Sequence, residues 1–298
     1  MSVKGPRPRA LDRPIFIVAA PRSGSTLLFE TLASCDDLYS LRDEAQGIIE
    51  SIAALHPATN GFASNRLEGR HATPDVSRQI RVRLVKGARD NRGRFFLQTP
   101  PDRRPARIRF LEKTPKNALR IPFLLGLFPD ALFIHLTRDP RANIASIMDA
   151  WRSGRFVTYP HLPEPMNLSD CDTPGWSLLL PDGWRALRGR TLAEVAAFQW
   201  ASAHRTILAD LAGVPADHVC RVRYESFIEE PGAQAERLCG FMDIPFEGTI
   251  VRTVAEPLPR SRYTLSPPSP DKWRRHEREI LAVLSGIADV AEQLGYTD

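Results

Sequence analysis

Ile15-Phe16-Ile17-Val18-Ala19-Ala20-Pro21-Arg22-Ser23-Gly24-Ser25-Thr26-Leu27-Leu28-Phe29-Glu30-Thr31-Leu32 is the stretch that decides how this chain is read. The first six residues form an unbroken apolar run, the pattern of a strand buried on both faces. The last six carry an apolar stripe at helical spacing. The six between them make a small polar turn that runs directly into the helix N-terminus. Free backbone N–H groups and the positive end of the helix dipole converge at such a point, and together they attract an anion. Arg22 adds a fixed positive charge, and Ser23, Ser25 and Thr26 add hydroxyl donors around Gly24. The stretch therefore predicts a phosphate or sulfate ligand.

The nearest comparison is the nucleotide-triphosphate loop, Gly-x-x-x-x-Gly-Lys-Ser/Thr. Here Ala19 stands where its first Gly would be and Ser25 where its Lys would be. That Lys reaches the β- and γ-phosphates, so its loss argues against a triphosphate ligand. The cation has moved three residues upstream, to Arg22. Further along, Ala131-Leu132-Phe133-Ile134-His135-Leu136 reads as a second buried parallel strand, punctuated by Arg138-Asp139-Pro140, with Pro140 suited to a first helical turn. Ligands of open α/β sheets bind outside the carboxyl ends of the strands, so Arg22 and Arg138 can face one ligand. Ser146, about two helical turns into the following helix, adds a hydroxyl suited to a second, separate phosphate.

The rest of the chain fits one frame. Leu38–Leu41 reads as a strand end or turn, Glu44–Leu55 as a helix, Asp75–Lys86 as a helix within a broken region, and Leu111–Pro115 as the end of an extended segment. Helices are expected over Asn117–Phe128, Asn143–Trp151, Leu192–Leu211, Gly232–Phe241 and Arg274–Leu294, with a third strand at Val219–Val222. The alternation implies an α/β fold: three layers, with a central, mostly parallel sheet flanked by helices. At 298 residues, 43% hydrophobic and 25% charged, the composition is that of an ordinary globular protein. No window approaches the roughly 18–20 unbroken apolar residues of a membrane helix, and Met1–Pro14 lacks the apolar core of a signal peptide, which predicts a cytoplasmic protein that does not engage a membrane. Cys35, Cys171, Cys220 and Cys239 are scattered without metal-ligand spacing, so free thiols are expected rather than zinc or disulfides. Between Arg66 and Arg109 stand 13 Lys and Arg against 4 Asp and Glu, in a chain of net charge +5. Such a stretch favours an acidic or polar acceptor; without interleaved aromatics it does not read as a nucleic-acid surface. Nothing in the chain fixes an oligomeric state.

These residues resemble the sulfotransferases that use 3′-phosphoadenosine-5′-phosphosulfate (PAPS), which have a P-loop-like α/β fold. The resemblance spans roughly residues 14 to 296, and is nearer to the branch containing protein-tyrosine sulfotransferases and bacterial homologues than to the cytosolic phenol and steroid branch. It implies that Pro21–Thr26 hold the 5′-phosphosulfate and that Arg138 and Ser146 hold the 3′-phosphate. Tyr224 of Tyr224-Glu225 would then lie near the adenine, and Lys272 of Lys272-Trp273 would follow a loop that closes over the nucleotide. It further implies a Glu base about twenty residues beyond the loop, matched by Glu44, with Asp43 the nearest competitor and His56 and His71 ranked below both. Lys113 of Glu112-Lys113-Thr114-Pro115 would contact the transferring group.

On this resemblance the chain is one domain over 14–298 behind a flexible basic stretch, 1–13, with insertions at about 56–105 and 153–182 that shape the acceptor side. Trp151, Trp176, Trp184 and Trp200 are candidates for an acceptor pocket, although the helical position of Trp200 near Phe198 suits core. The implied reaction moves a sulfuryl group from PAPS to a hydroxyl or amine of a small-molecule, carbohydrate or peptide acceptor, releasing adenosine 3′,5′-bisphosphate. It proceeds by in-line displacement through a loose transition state. No metal is expected, because sulfate carries less charge than a triphosphate and no Mg²⁺-binding carboxylate pattern stands out. The alternatives are a nucleotide kinase or NTPase with a degenerate loop, and a nucleotide-binding module without catalysis.

Overall fold

The computed structural model describes residues 11–105, 107–173, 175–267 and 269–297. Its strands are β1 (Ile15–Ala19), β2 (Leu38–Tyr39), β3 (Arg109–Lys113), β4 (Leu132–Thr137), β5 (Val157–Tyr159), β6 (Trp176–Ser177) and β7 (Val219–Arg223). The helices are α1 (Ser25–Leu32), α2 (Gln46–Glu50), α3 (Pro74–Gly87), α4 (Ile121–Leu127), α5 (Pro140–Arg152), α6 (Leu192–Leu211), α7 (Tyr224–Glu229), α8 (Pro231–Met242), α9 (Thr249–Ala255), α10 (Glu277–Leu284) and α11 (Ala288–Gln293). Five strands form one sheet in the order β2-β3-β1-β4-β7, and every pairing is parallel. β1 lies at its centre, with Ile15 level with Leu111 on one side and Leu132 on the other.

Side chains alternate across a strand, so the sheet carries two cores. Ile15, Ile17, Leu111 and Ile134 pack with α1, α8 and α9 on one face. Phe16, Phe110 and Phe133 pack with α3 to α6 on the other. Parallel strands covered on both faces are mostly apolar, which is why β1 is a continuous hydrophobic run and β4 departs from one only at His135 and Thr137.

The structure differs from the sequence reading at several places. Leu11 is buried and bridges to Ile108, so the ordered body begins inside the 1–13 stretch; residues 1–10 lie outside the described residues. Only Gln46–Glu50 of the Glu44–Leu55 segment is α-helical, followed by single 3-10 turns at Ala53–Leu55 and Pro57–Asn60. The terminal helix is split into α10 and α11 by a 3-10 turn at Ser285–Ile287, around Gly286, whose backbone entropy disfavours helix. The 153–182 segment contains the antiparallel pair β5–β6 rather than loop alone. Trp151, Trp176, Trp184 and Trp200 are all core residues, at most 2% exposed. Several arginines of the basic stretch are paired with carboxylates: Arg66 with Asp210 at 2.9 Å, Arg94 with Asp90 at 2.7 Å and, at the surface, Arg78 with Asp75 at 2.7 Å.

Candidate active site

At the carboxyl edge of the sheet, between β1 and α1, the polar turn bends sharply through two left-handed residues, Arg22 (φ 66°) and Gly24 (φ 90°). A Cβ on Gly24 would land on Cδ2 and Cε2 of Tyr224, so glycine is required by both conformation and space. Behind the turn, Asn143 of α5 acts as a clamp. Its Nδ2 donates to the Pro21 carbonyl at 2.7 Å, and its Oδ1 lies 2.7 Å from Ser23 Oγ, which is equally close to the Ala20 carbonyl. Ser23 is fully buried and does not line the cavity, so its hydroxyl shapes the loop.

The loop opens into a cavity of about 1360 Å³. Arg22, Gly24, Ser25 and Thr26 line it, and so do Glu44, Lys113, Arg138, Ser146, Tyr224 and Lys272, which come from five further segments of the chain. Thus every sequence-predicted site residue except Ser23 converges on one space. Asp43, His56 and His71 do not line it. Asp43 Oδ1 instead accepts from the Glu44 backbone N–H at 2.8 Å. His56 Nδ1 accepts from Ala58 N at 3.1 Å, and His71 Nδ1 meets Glu68 N at 2.8 Å.

Two cationic ends can be distinguished. At the first, the Arg22 guanidinium lies 4.6 Å from the Phe156 ring and donates from Nη2 to the Tyr263 carbonyl at 2.9 Å. Burial, followed by the neighbouring Arg138 charge, pulls Arg22 down to about 10, so it stays protonated at neutral pH. At the second, Arg138 stacks 4.6 Å from the Tyr224 ring and donates to the Arg22 carbonyl at 3.1 Å, with Ser146 further along α5. Glu225, next to Tyr224, accepts from the Asp139 backbone N–H at 2.9 Å and from the Tyr296 hydroxyl at 2.9 Å. That fixes the start of α5, where Asp139 also caps Ala142 N at 3.1 Å. Lys272 pairs with Asp149 at 3.4 Å and is pulled below the ordinary lysine range by burial.

Near the loop, Lys113 Nζ holds Glu44 Oε1 at 2.5 Å, with both side chains largely buried. No described bond engages Glu44 Oε2. Residues 257–261, 263–266 and 269–273 also line the cavity, the part around Tyr263 latched by the Arg22–Tyr263 bond and by Arg262 to Glu30 at 2.9 Å. Phe156, Val157, Thr158, Leu178 and Leu179, all from the 153–182 segment, add to the lining beside Arg22, whereas no residue between 51 and 112 lines the cavity. The 56–105 region, expected to shape the acceptor side, therefore does not line this cavity.

Sequence reasoning missed several residues. Asn143 stands three residues before Ser146, one turn away on the same face of α5, and this spacing was its only signal. Glu50 and Lys116 also line the cavity: Lys116 donates to both Glu50 oxygens at 2.7 Å, and Arg120 reaches Glu50 at 2.5 Å. Burial pulls Lys116 down to about 8. Burial would raise Glu50, but Arg120 and Lys116 outweigh it and keep the carboxyl below its ordinary value. Among the described residues no group of three or more His, Cys, Asp and Glu is placed to hold a metal ion, and no helix is long and apolar enough to cross a membrane. The four cysteines are free, with Cys35 and Cys239 sulfurs 3.8 Å apart in the core.

A parallel sheet whose edge opens onto such a two-ended anion cradle defines a P-loop-like α/β protein. The chain belongs to the sulfotransferase family, whose model matches residues 14–248. A curated relative, an uncharacterized protein of Aquifex aeolicus, is 21% identical over 95% of this chain, which spans about a third (33%) of that relative's length. Among solved structures, a sulfotransferase from Alicyclobacillus acidocaldarius is 14% identical with a TM-score of 0.50, covering 99% of this chain and 98% of its own. The sulfotransferase domain of the Synechococcus PCC 7002 olefin synthase is 22% identical with a TM-score of 0.47, covering 97% of each chain.

Proposed function

We propose that this chain transfers the sulfuryl group of PAPS to a hydroxyl or amine of a small-molecule, carbohydrate or peptide acceptor, with Glu44 as the base. The observation that carries this reading is the Glu44–Lys113 pair lining the same cavity as both cationic ends. The residues fit the donor on grounds internal to the site. Arg22 Nε is buried without a partner, and the donors are N–H groups, hydroxyls and arginines, a set suited to sulfate and phosphate oxygens.

PAPS supplies a sulfuryl group on a phosphate leaving group. Arg22, Lys113 and the N–H groups at the start of α1 stabilise negative charge as it builds near the loop, in a site partly closed to water. Arg138 and Ser146 hold the 3′-phosphate, while Tyr224 and Lys272 bound the rest of the nucleotide. Lys113 fixes Glu44 through Oε1, which leaves Oε2 to accept the acceptor's proton. Base assistance of this kind contributes on the order of 10²–10⁴ in rate.

Calorimetry with adenosine 3′,5′-bisphosphate and with ADP tests the donor side: tighter binding of the bisphosphate, weakened strongly in Arg138→Ala, is expected. Equal affinity for ADP would count against the 3′-phosphate site and revive a kinase or NTPase. Labelled PAPS with a panel of acceptors tests the chemistry, and near-native turnover by Glu44→Gln would remove Glu44 as the base.

A further inference from the structure

Consecutive residues of a strand point to opposite faces, so Glu112 and Lys113 at the end of β3 leave the sheet in opposite directions. Lys113 enters the cavity and grips the Glu44 carboxylate at 2.5 Å. Glu112, 2% exposed, turns to the other side and does not line the cavity. Its Oε1 accepts the backbone N–H of Ala45, the residue immediately after Glu44, at 3.1 Å. Thr114 Oγ1 also accepts from Ala45 N, at 3.0 Å, and donates to Glu112 Oε1 at 2.5 Å. Asn117 Nδ2 donates to Glu112 Oε2 at 2.5 Å.

We infer that Glu112, supported by Thr114 and Asn117, is a positioning residue for the base: with Lys113 it grips Glu44 from both faces of the sheet, one hold on the side chain and one on the adjoining backbone. This inference rests on the proposed role of Glu44. The surroundings support it. A carboxyl in the core is costly, and replacement by an apolar residue is the common alternative wherever no specific geometry is needed. The far end of the segment is anchored by Glu50 on Lys116 and Arg120, but its near end has no cap of its own: α2 is five residues long and begins after Ala45, whose N–H finds its partners in Glu112 and Thr114. A slack Ala45 would let the Glu44 carboxylate leave Lys113 and the reacting atoms, and misplacement by about 1 Å is enough to cost on the order of 10² in rate.

Three variants of the full chain test this: Glu112→Ala, Glu112→Gln and the near-isosteric Thr114→Val. The readouts are kcat with labelled PAPS, calorimetric affinity for adenosine 3′,5′-bisphosphate, and hydrogen exchange of the peptide containing residues 43–50. Glu112→Ala is expected to lower kcat about 10- to 100-fold, to leave bisphosphate affinity within about twofold, and to speed exchange at 43–50. Glu112→Gln should restore most of kcat: its carbonyl can accept from Ala45 and Thr114, and Asn117 Oδ1, buried without a partner, becomes an acceptor for the new amide once Asn117 flips. Thr114→Val keeps the core volume and should lower kcat in the same direction, which guards against Glu112→Ala failing to fold. Native kcat and native exchange in Glu112→Ala and Thr114→Val would overturn the inference, and so would a loss of kcat matched by an equal loss of bisphosphate affinity. A wild-type chain that neither binds the bisphosphate nor turns over PAPS would refute the functional reading, while the exchange measurement would still decide the hold on Ala45.

Discussion

Gly24→Ala perturbs the donor loop at the point where the structure leaves least room. Gly24 holds φ at 90°, and a methyl group there would strike the edge of the Tyr224 ring. The left-handed backbone alone costs an alanine about 1–2 kcal/mol. Moving Tyr224 aside also breaks its stack with Arg138, whose guanidinium lies 4.6 Å from the ring and whose attraction is worth roughly 0.5–1 kcal/mol. The two effects together come to about 1.5–3 kcal/mol, which at 1.4 kcal/mol per tenfold is a loss of about 10- to 150-fold in affinity for adenosine 3′,5′-bisphosphate if the loop relaxes out of its binding shape. If the loop keeps its shape, the same free energy appears as a lower Tm, about 2–4 °C for each kcal/mol in a chain of this size class. Calorimetry and a thermal melt therefore have to be run together. The double variant separates the causes: in a Tyr224→Ala background the collision is gone, and Gly24→Ala should cost only the backbone part. Native affinity together with a native Tm in Gly24→Ala would refute the argument that the turn needs glycine.

Asn143→Ala leaves the Pro21 carbonyl and the Ser23 hydroxyl without their buried partner; a stability loss of roughly 1–3 kcal/mol is expected in denaturant titrations, accompanied by weaker bisphosphate binding, and unchanged values for both would dismiss the clamp. Glu50→Ala strands Lys116 and Arg120 in the wall of the cavity, so a loss of about 3–5 kcal/mol is expected by the same titration, and a loss below about 1 kcal/mol would show that the cluster is held otherwise. His135 and His204, 3.1 Å apart in the core, are both pulled down from 6.5 by burial, His135 to about 3. Their folded values lie below their unfolded ones, so the stability they contribute is complete above pH 6.5 and falls away below it, by at most about 1.4 kcal/mol per pH unit for each group. Guanidinium midpoints at pH 7 and pH 5 should therefore separate more in the wild type than in His135→Asn/His204→Leu, and equal separations would contradict the assignment.

How far the sequence carried is plain at particular residues. β1 and β4 could be read because a parallel strand covered on both faces is apolar at most positions, and that pattern survives without any partner in view. The Pro21–Thr26 loop and the Arg138–Ser146 spacing could be read because anion binding restricts residue type locally. Glu44 was reached through resemblance, and nothing in its neighbours distinguished it from Asp43; the distinction comes from Lys113, whose approach depends on how β3 pairs with β1. Asn143, Glu112 and Glu50 were invisible for the same reason, since each acts on a group 66 to 120 residues away or more. Ser23 shows the converse, a residue of the right type in the right motif whose hydroxyl the turn directs inward. The basic stretch misled because charge counted along a chain does not reveal that arginines such as Arg66 and Arg94 are already neutralised by carboxylates within the fold.

The β5–β6 pair is separate from the five-stranded sheet, yet it and its flanks line the same cavity as the Pro21–Thr26 loop. On the proposed reading, the two halves of the reaction thus answer to different parts of the chain. The half that recognises the donor is drawn from strand ends and helix starts, where any change disturbs the whole body. The other half is carried by a segment rooted in the core through Trp176, Leu179 and Leu180, so only its cavity-facing side chains can be exchanged while the body stays intact. If the proposed reading holds, exchanging the cavity-lining side chains Phe156, Val157, Thr158 and Leu178 redirects the choice of acceptor while Arg22 and Arg138 keep the donor.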